Sequence, residues 1–200
     1  MAQAPEGSSH ATSMTLLAKV QAQEAEAWER FVELYAPLVH YWCRKAGLGE
    51  ADTADVFQEV FQSVAAKIAA FRRDRPGDTL RGWLRTIAAN KVRDHFRRSA
   101  GKASAQGGTS AQRLMHEVAD PLVEDEAEEI NVLQGSVRRA LDWIRGDFEP
   151  QTWQAFLQTQ VEERPPAEVA AELGMTAAAV RKAKYRVLRR LREELDGLLD

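Results

Sequence analysis

The stretch WLRTIAANKVRDHFRR, residues 83–98, gathers Arg85, Lys91, Arg93, Arg97 and Arg98 around a single acid, Asp94. Placed on a helix, Thr86, Asn90, Arg93 and Arg97 recur at steps of three and four on one side, while Leu84, Ile87, Ala88, Val92 and Phe96 do so on another. The first side is a row of hydrogen-bond donors. Arginine and lysine neutralise phosphates and release their counterions, and an amide such as Asn90 can pair with a base edge. Trp83 adds a ring on which an unpaired base can stack, a contact worth about 1–3 kcal/mol. A charged face is also what any solvated helix presents, so this segment alone leaves nucleic-acid binding and plain solvation both open.

A second basic segment stands near the C-terminus. PPAEVAAELGMTAAAVRKAKYRVLRRLREEL, residues 165–195, has the order of a helix-turn-helix. Pro165 and Pro166 open a short helix, Gly174 permits a tight turn, and Thr176 is placed to cap the next helix. That helix has Val180, Val187, Leu188, Leu191 and Leu195 on its apolar side, and a basic side opposite. A recognition helix reads the major groove from its N-terminal part, which puts Thr176, Ala178, Arg181, Lys182 and Lys184 nearest the DNA. The alternative is a structural helical hairpin with a solvated basic face.

Other chemistry has less to work with. Cys43 is the sole cysteine, so an intramolecular disulfide and a cysteine-rich zinc site are both excluded. His10, His40, His95 and His116 have no metal-ligand spacing. No nucleophile with a neighbouring base, nucleotide-binding loop or paired acidic motif stands out, and the expectation is a non-enzyme without metal or cofactor. No basic leader followed by an apolar run opens the chain, and no window has the roughly 18 apolar residues of a membrane span, so a cytoplasmic protein is expected.

The elements that must position these faces follow from periodicity. Residues 1–13 are small and polar and read as a disordered tail. From Thr15 an apolar stripe through Trp28, Phe31, Leu34, Tyr35, Leu38 and Trp42 marks a helix that Pro37 should kink or split. A second helix carries Asp52 and Asp55 in its first turn, suited to the helix dipole, with Val56, Val60, Phe61 and Val64 on its apolar side. Arg72 to Thr79 form a loop around the Pro76-Gly77 pair, and the basic helix of residues 83–98 follows. Residues 99–130 turn Gly/Ser/Ala-rich and then acidic, the pattern of a flexible linker, and acidic enough to shield a basic face. Residues 131–200 make a second helical domain. The expected fold is all-α: two small helical domains, 14–98 and 131–200, on a flexible tether. The net charge of −3 therefore conceals two separate cationic patches.

Taken in order, DTADVFQEVF (residues 52–61), FRRDRPGDTLRGWLRTIAANKVRDHFRR (71–98) and the helix-turn-helix resemble a bacterial RNA polymerase sigma factor of the extracytoplasmic-function type. The resemblance spans nearly the whole chain from Thr15 to Leu199. It implies that Asp52, Asp55, Gln58, Glu59 and Phe61 dock on the β′ clamp helices of core RNA polymerase, although Phe61 is equally accounted for as core. It implies that Trp83, Asn90, Lys91, Arg93, Arg97 and Arg98 recognise and open the promoter −10 element, with the loop of residues 72–79 capturing an extruded base. The C-terminal domain would bind the −35 element and the β flap. An anti-sigma factor is a further partner implied by the resemblance. The recognition helix, AAAVRKAKYRV, departs from the commoner Gly- and Ser-containing pattern, which leaves the preferred DNA sequence open. A stand-alone helix-turn-helix regulator binding duplex DNA is the competing reading, and it has no need of the helix at residues 52–61.

Overall fold

A computed structural model of the chain describes residues 15–105, 122 and 126–195. The tail expected over 1–13, and most of the linker expected over 99–130, lie outside the described residues. Every regular element among the described residues is helical: α1 (Leu16–Gln21), α2 (Ala25–Lys45), α3 (Glu50–Lys67), α4 (Leu80–Ala105), α5 (Glu126–Ile144), α6 (Pro150–Gln160), α7 (Pro166–Leu173) and α8 (Ala177–Glu194). Single 3₁₀ turns extend α3 over Ile68–Ala70 and α5 over Arg145–Asp147.

The first helical pattern is broken, but not at Pro37. Thr15 caps α1 by accepting from the Ala18 amide at 3.3 Å, and the chain turns before α2, with Gln23 at φ +62°. Helix α2 then runs unbroken through Pro37. Tertiary packing overrides the local penalty, because the residues around the proline, Leu34, Tyr35, Leu38 and Val39, are all at most 1% exposed. Helix α3 begins at Glu50, which places Asp52 in the first turn and Asp55 beyond it, so the helix-dipole explanation applies to Asp52 alone.

Helices α1 to α4 pack around Phe31, Leu34, Leu38, Trp42, Val56, Val60, Leu84 and Val92. Contrary to the expectation of two separate bodies, this core continues into Ala140, Ile144, Trp153, Phe156, Val187, Leu191 and Leu195 of the C-terminal half. Helix α4 extends past the expected boundary at Arg98, α5 starts inside the expected linker, and Leu122 is 1% exposed within the shared core. A separate small core, formed by Ala155, Val169, Ala170, Val180 and Ala183, holds α6, α7 and α8 together.

The α7–α8 turn forms as expected. Gly174 ends α7 at φ +63°, and the Thr176 hydroxyl accepts from the Ala179 amide at 3.1 Å. The left-handed conformation costs an ordinary L-residue roughly 1–2 kcal/mol. Gly174→Ala should therefore lower unfolding stability by about that amount, as read from the shift in the urea midpoint at unchanged slope.

Candidate nucleic-acid interface

Helix α4 separates its two sides as its sequence predicts. Leu84, Ile87, Ala88 and Val92 are buried, whereas Thr86, Asn90 and Arg97 are exposed and Arg93 is half-buried. The polar side is partly organised by its own contacts. Arg93 donates to Asn90 Oδ1 at 2.5 Å, Arg97 to Asp94 Oδ1 at 3.1 Å, and the Thr86 hydroxyl to the carbonyl of Gly82 at 2.9 Å. These are exposed contacts of low energy, which a phosphate or base edge can replace.

Trp83 sits at the start of α4, its ring 5.2 Å from that of Phe71. Together with Arg72, Asp74, Gly77 and Thr79 it lines an open cavity of about 460 Å³. The loop that closes this cavity is built by local hydrogen bonds. Asp78 accepts from the Arg75 amide at 2.9 Å and its own amide donates to the Arg75 carbonyl at 3.0 Å, while the Thr79 hydroxyl accepts from the Gly82 amide at 2.9 Å. Gly77, at φ +94°, supplies the reversal that this loop requires. An aromatic wall, arginine at the rim and a preformed backbone are what an unstacked base needs.

The two residue sets expected on α3 and α4 meet each other. Glu59 pairs with Arg98 at 2.7 Å and with Lys91 at 3.7 Å, and Asp52 Oδ1 lies 3.6 Å from His95 Nε2. Asp52, Asp55, Gln58 and Glu59 face a shared cavity of about 360 Å³ with His95 and Arg98. Phe61 does not join them. It is 7% exposed, edge-on to Trp28 and Phe31, and is a core residue rather than a surface contact. Lys91 and Arg98 thus stand at the boundary between the α3 acids and the remainder of the α4 face.

On α8, Thr176, Ala178, Arg181 and Lys182 are exposed and Lys184 is half-buried, so the expected reading face is open. The segment before α7 is tied back by Arg164, which pairs with Glu172 at 2.7 Å; this hydrogen bond, with a second from Gln158, holds the Glu172 carboxyl below its usual range. Tyr185, missed by the sequence reading, is 61% exposed one turn beyond Arg181. Its i+4 spacing from Arg181 on a basic helix was the signal that could have found it.

The acids described at the end of the expected linker do not cover either basic reading face. Glu128 pairs with Lys45 at 3.3 Å, and Glu129 takes Arg81 at 2.7 Å and the Trp42 indole at 3.3 Å. Cys43 is buried and its thiol is pushed up to about 11 by desolvation, which makes it a poor nucleophile. No cluster of potential metal ligands occurs among the described residues, and none of their helices is long and apolar enough to cross a membrane.

Residues 31–101, from within α2 to the end part of α4, match the family Sigma-70 region 2. Over 185 residues the chain is 28% identical to the ECF RNA polymerase sigma factor BldN of Streptomyces coelicolor (strain ATCC BAA-471 / A3(2) / M145), covering 92% of this chain and 66% of that protein. It is also similar to a chain in the structure of CnrH in complex with the cytosolic domain of CnrY, at 24% identity and a TM-score of 0.37, covering 88% of this chain and 92% of that one. The region 2 match lies on the helices that carry the α3 acids and the basic face of α4, and the likeness to the extracytoplasmic-function sigma factor runs over 92% of the chain.

Proposed function

We propose that this protein directs core RNA polymerase to promoters by binding their −10 and −35 elements, and that it promotes opening of the duplex without chemistry of its own. The observation that carries the reading is the presence, in one chain, of an aromatic-walled cavity roomy enough for a base, beside a donor-bearing helix, and of a capped helix-turn-helix with an exposed basic face. In this reading α8 grips duplex DNA through Arg181, Lys182 and Lys184, with Thr176 and Ala178 at the backbone approach and Tyr185 adding a phenol at phosphate reach. Helix α4 and the Trp83 cavity take the strand that separates. Extruding a base costs a few kcal/mol, which stacking and phosphate contacts then offset.

Asp52, Asp55, Gln58 and Glu59 are the proposed polymerase contacts. Glu59 is the most informative of them, since its pairs with Arg98 and Lys91 are partly exposed and contribute roughly 0–1 kcal/mol to folding. Glu59→Gln should therefore leave the thermal midpoint within a few degrees of the parent while weakening capture of core polymerase about tenfold or more. Unchanged capture would take Glu59 out of the interface. The reading as a whole is tested by run-off transcription with purified core enzyme across genomic promoter fragments. Absence of any added initiation defeats it, and DNA binding without polymerase capture would favour a stand-alone regulator.

A further inference from the structure

A short helix ahead of the family match reaches into the site. Residues 31–101 match Sigma-70 region 2, whereas α1 ends at Gln21, before that segment begins. Six residues are too few to hold a helix in water, so α1 depends on its Thr15 cap and on the burial of Leu16, Leu17 and Val20. The chain then reverses. The amides of Ala22, Gln23 and Glu24 donate to the carbonyls of Ala18, Val20 and Lys19 at 3.0–3.1 Å, which fixes the last residue of α1, Gln21, in place.

The Gln21 side chain bonds to a distant piece of backbone. Its Nε2 donates to the carbonyl of Ile68 at 3.1 Å and to that of Phe71 at 2.9 Å. Both partners are acceptors, so only the NH2 end of the amide can face them, one hydrogen to each. These carbonyls bracket the 3₁₀ turn that finishes α3, whose own closing bond runs from the Phe71 amide to the Ile68 carbonyl at 3.1 Å. Such a turn has poorer hydrogen-bond geometry than an α-helix, and a donor shared between its two ends clamps it. The Phe71 carbonyl also accepts from Arg72 Nη1 at 2.8 Å, which draws the first residue of the loop to the same point.

The clamp holds one wall of the Trp83 cavity. Phe71 leaves the turn extended, at φ −63° and ψ 130°, with its ring 5.2 Å from that of Trp83 and inclined to it by 47°. Both residues line the cavity. The bonds from Asp78 to Arg75 and from Thr79 to Gly82 each join residues three apart, so they shape the loop without tying it to the body. The Gln21 bonds span 47 and 50 residues and tie the loop's entry to another helix. An aromatic wall already in place receives a base without an ordering cost that would lower affinity.

We infer that Gln21 is a positioning residue for opening of the −10 element: by clamping the backbone at Ile68 and Phe71 it sets the Phe71–Trp83 wall to accept an unstacked base. Helix α1 is thereby a working part of the site although it precedes the region 2 segment. This rests on the base-pocket reading of Trp83 given above. Gln21 acts through Phe71 and not on DNA, since its amide hydrogens are taken by the two carbonyls and it does not line the cavity.

The probe is a single-stranded oligonucleotide carrying the −10 region of the promoter that initiates most strongly in the run-off assay, bound by the full chain. Gln21→Met keeps the side-chain length and removes both donors. It is expected to lower affinity for this probe roughly 3- to 10-fold, with −35 duplex binding within about twofold of the parent. Gln21→Lys, whose ammonium can donate to both carbonyls, is expected to stay within about twofold on both probes. The deciding measurement pairs the substitution with Trp83→Ala. Residues that work as one unit are not additive, so in the Trp83→Ala background Gln21→Met should cost less than about twofold. An undiminished cost in that background, unchanged affinity of the Gln21→Met protein, or a loss with Gln21→Lys equal to that with Gln21→Met overturns the inference. If Gln21→Met loses helix content, Gln21→Glu, of the same shape but without the donors, carries the same comparison. Should Trp83→Ala alone leave affinity for the probe unchanged, it is the base-pocket reading that fails.

Discussion

Arg181→Ala combined with Lys182→Ala is expected to weaken binding to a −35 duplex by roughly 30- to 1,000-fold, equivalent to about 2–4 kcal/mol for two lost contacts. Both residues are exposed in the first turns of α8, just past the Thr176 cap and away from the apolar side made by Val180, Ala183 and Val187. Their removal should therefore change folding stability by less than about 0.5 kcal/mol. The two charges also contribute separately to counterion release, so the slope of log affinity against log salt should flatten by about 1.8. Measuring affinity across a salt series separates two outcomes. A loss with an unchanged slope places the residues outside the phosphate interface, and a flatter slope with equal loss on all sequences makes them phosphate rather than base contacts.

What the sequence disclosed depended on how far the deciding partner lay along the chain. The two sides of α4 and the α7–α8 turn were legible because each is set by residues within a few positions: Leu84, Ile87, Ala88 and Val92 share a helix face, and Gly174 and Thr176 are adjacent punctuation. The division of α2 at Pro37 was expected from local backbone chemistry and did not occur, because burial of its flanking residues outweighs one missing hydrogen bond. Glu129 reads as part of a solvated acidic run, yet its partners Trp42 and Arg81 are 87 and 48 residues away and no periodicity announces them. The same distance hid the docking of Arg139 on Glu33. Phe61 was ambiguous for a different reason: the positions proposed to meet a partner and those that meet the core are neighbours on one helix, and only packing against Trp28 and Phe31 decides.

The cavity at the start of α4 makes the second large prediction, and its design has to separate stacking from folding. Trp83 is half-buried against Phe71, so Trp83→Ala removes a wall of the cavity and part of the packing together. Trp83→Phe keeps an aromatic face at Phe71 and serves as the control. If the ring receives an unstacked base, Trp83→Ala should lower affinity for a single-stranded −10 oligonucleotide by about 1–3 kcal/mol, roughly 5- to 150-fold, with Trp83→Phe losing much less. Binding of both variants to the −35 duplex should stay at parent level, since the contact proposed for that element is on α8 and not on α4. In transcription the deficit should appear in the rate of promoter opening, followed by permanganate reactivity of unpaired thymines, and it should shrink on a template whose −10 region is already mismatched, because the strand separation that the cavity stabilises has then been supplied. Equal losses on single-stranded and duplex probes would mean that Trp83 supports the fold of the domain and receives no base.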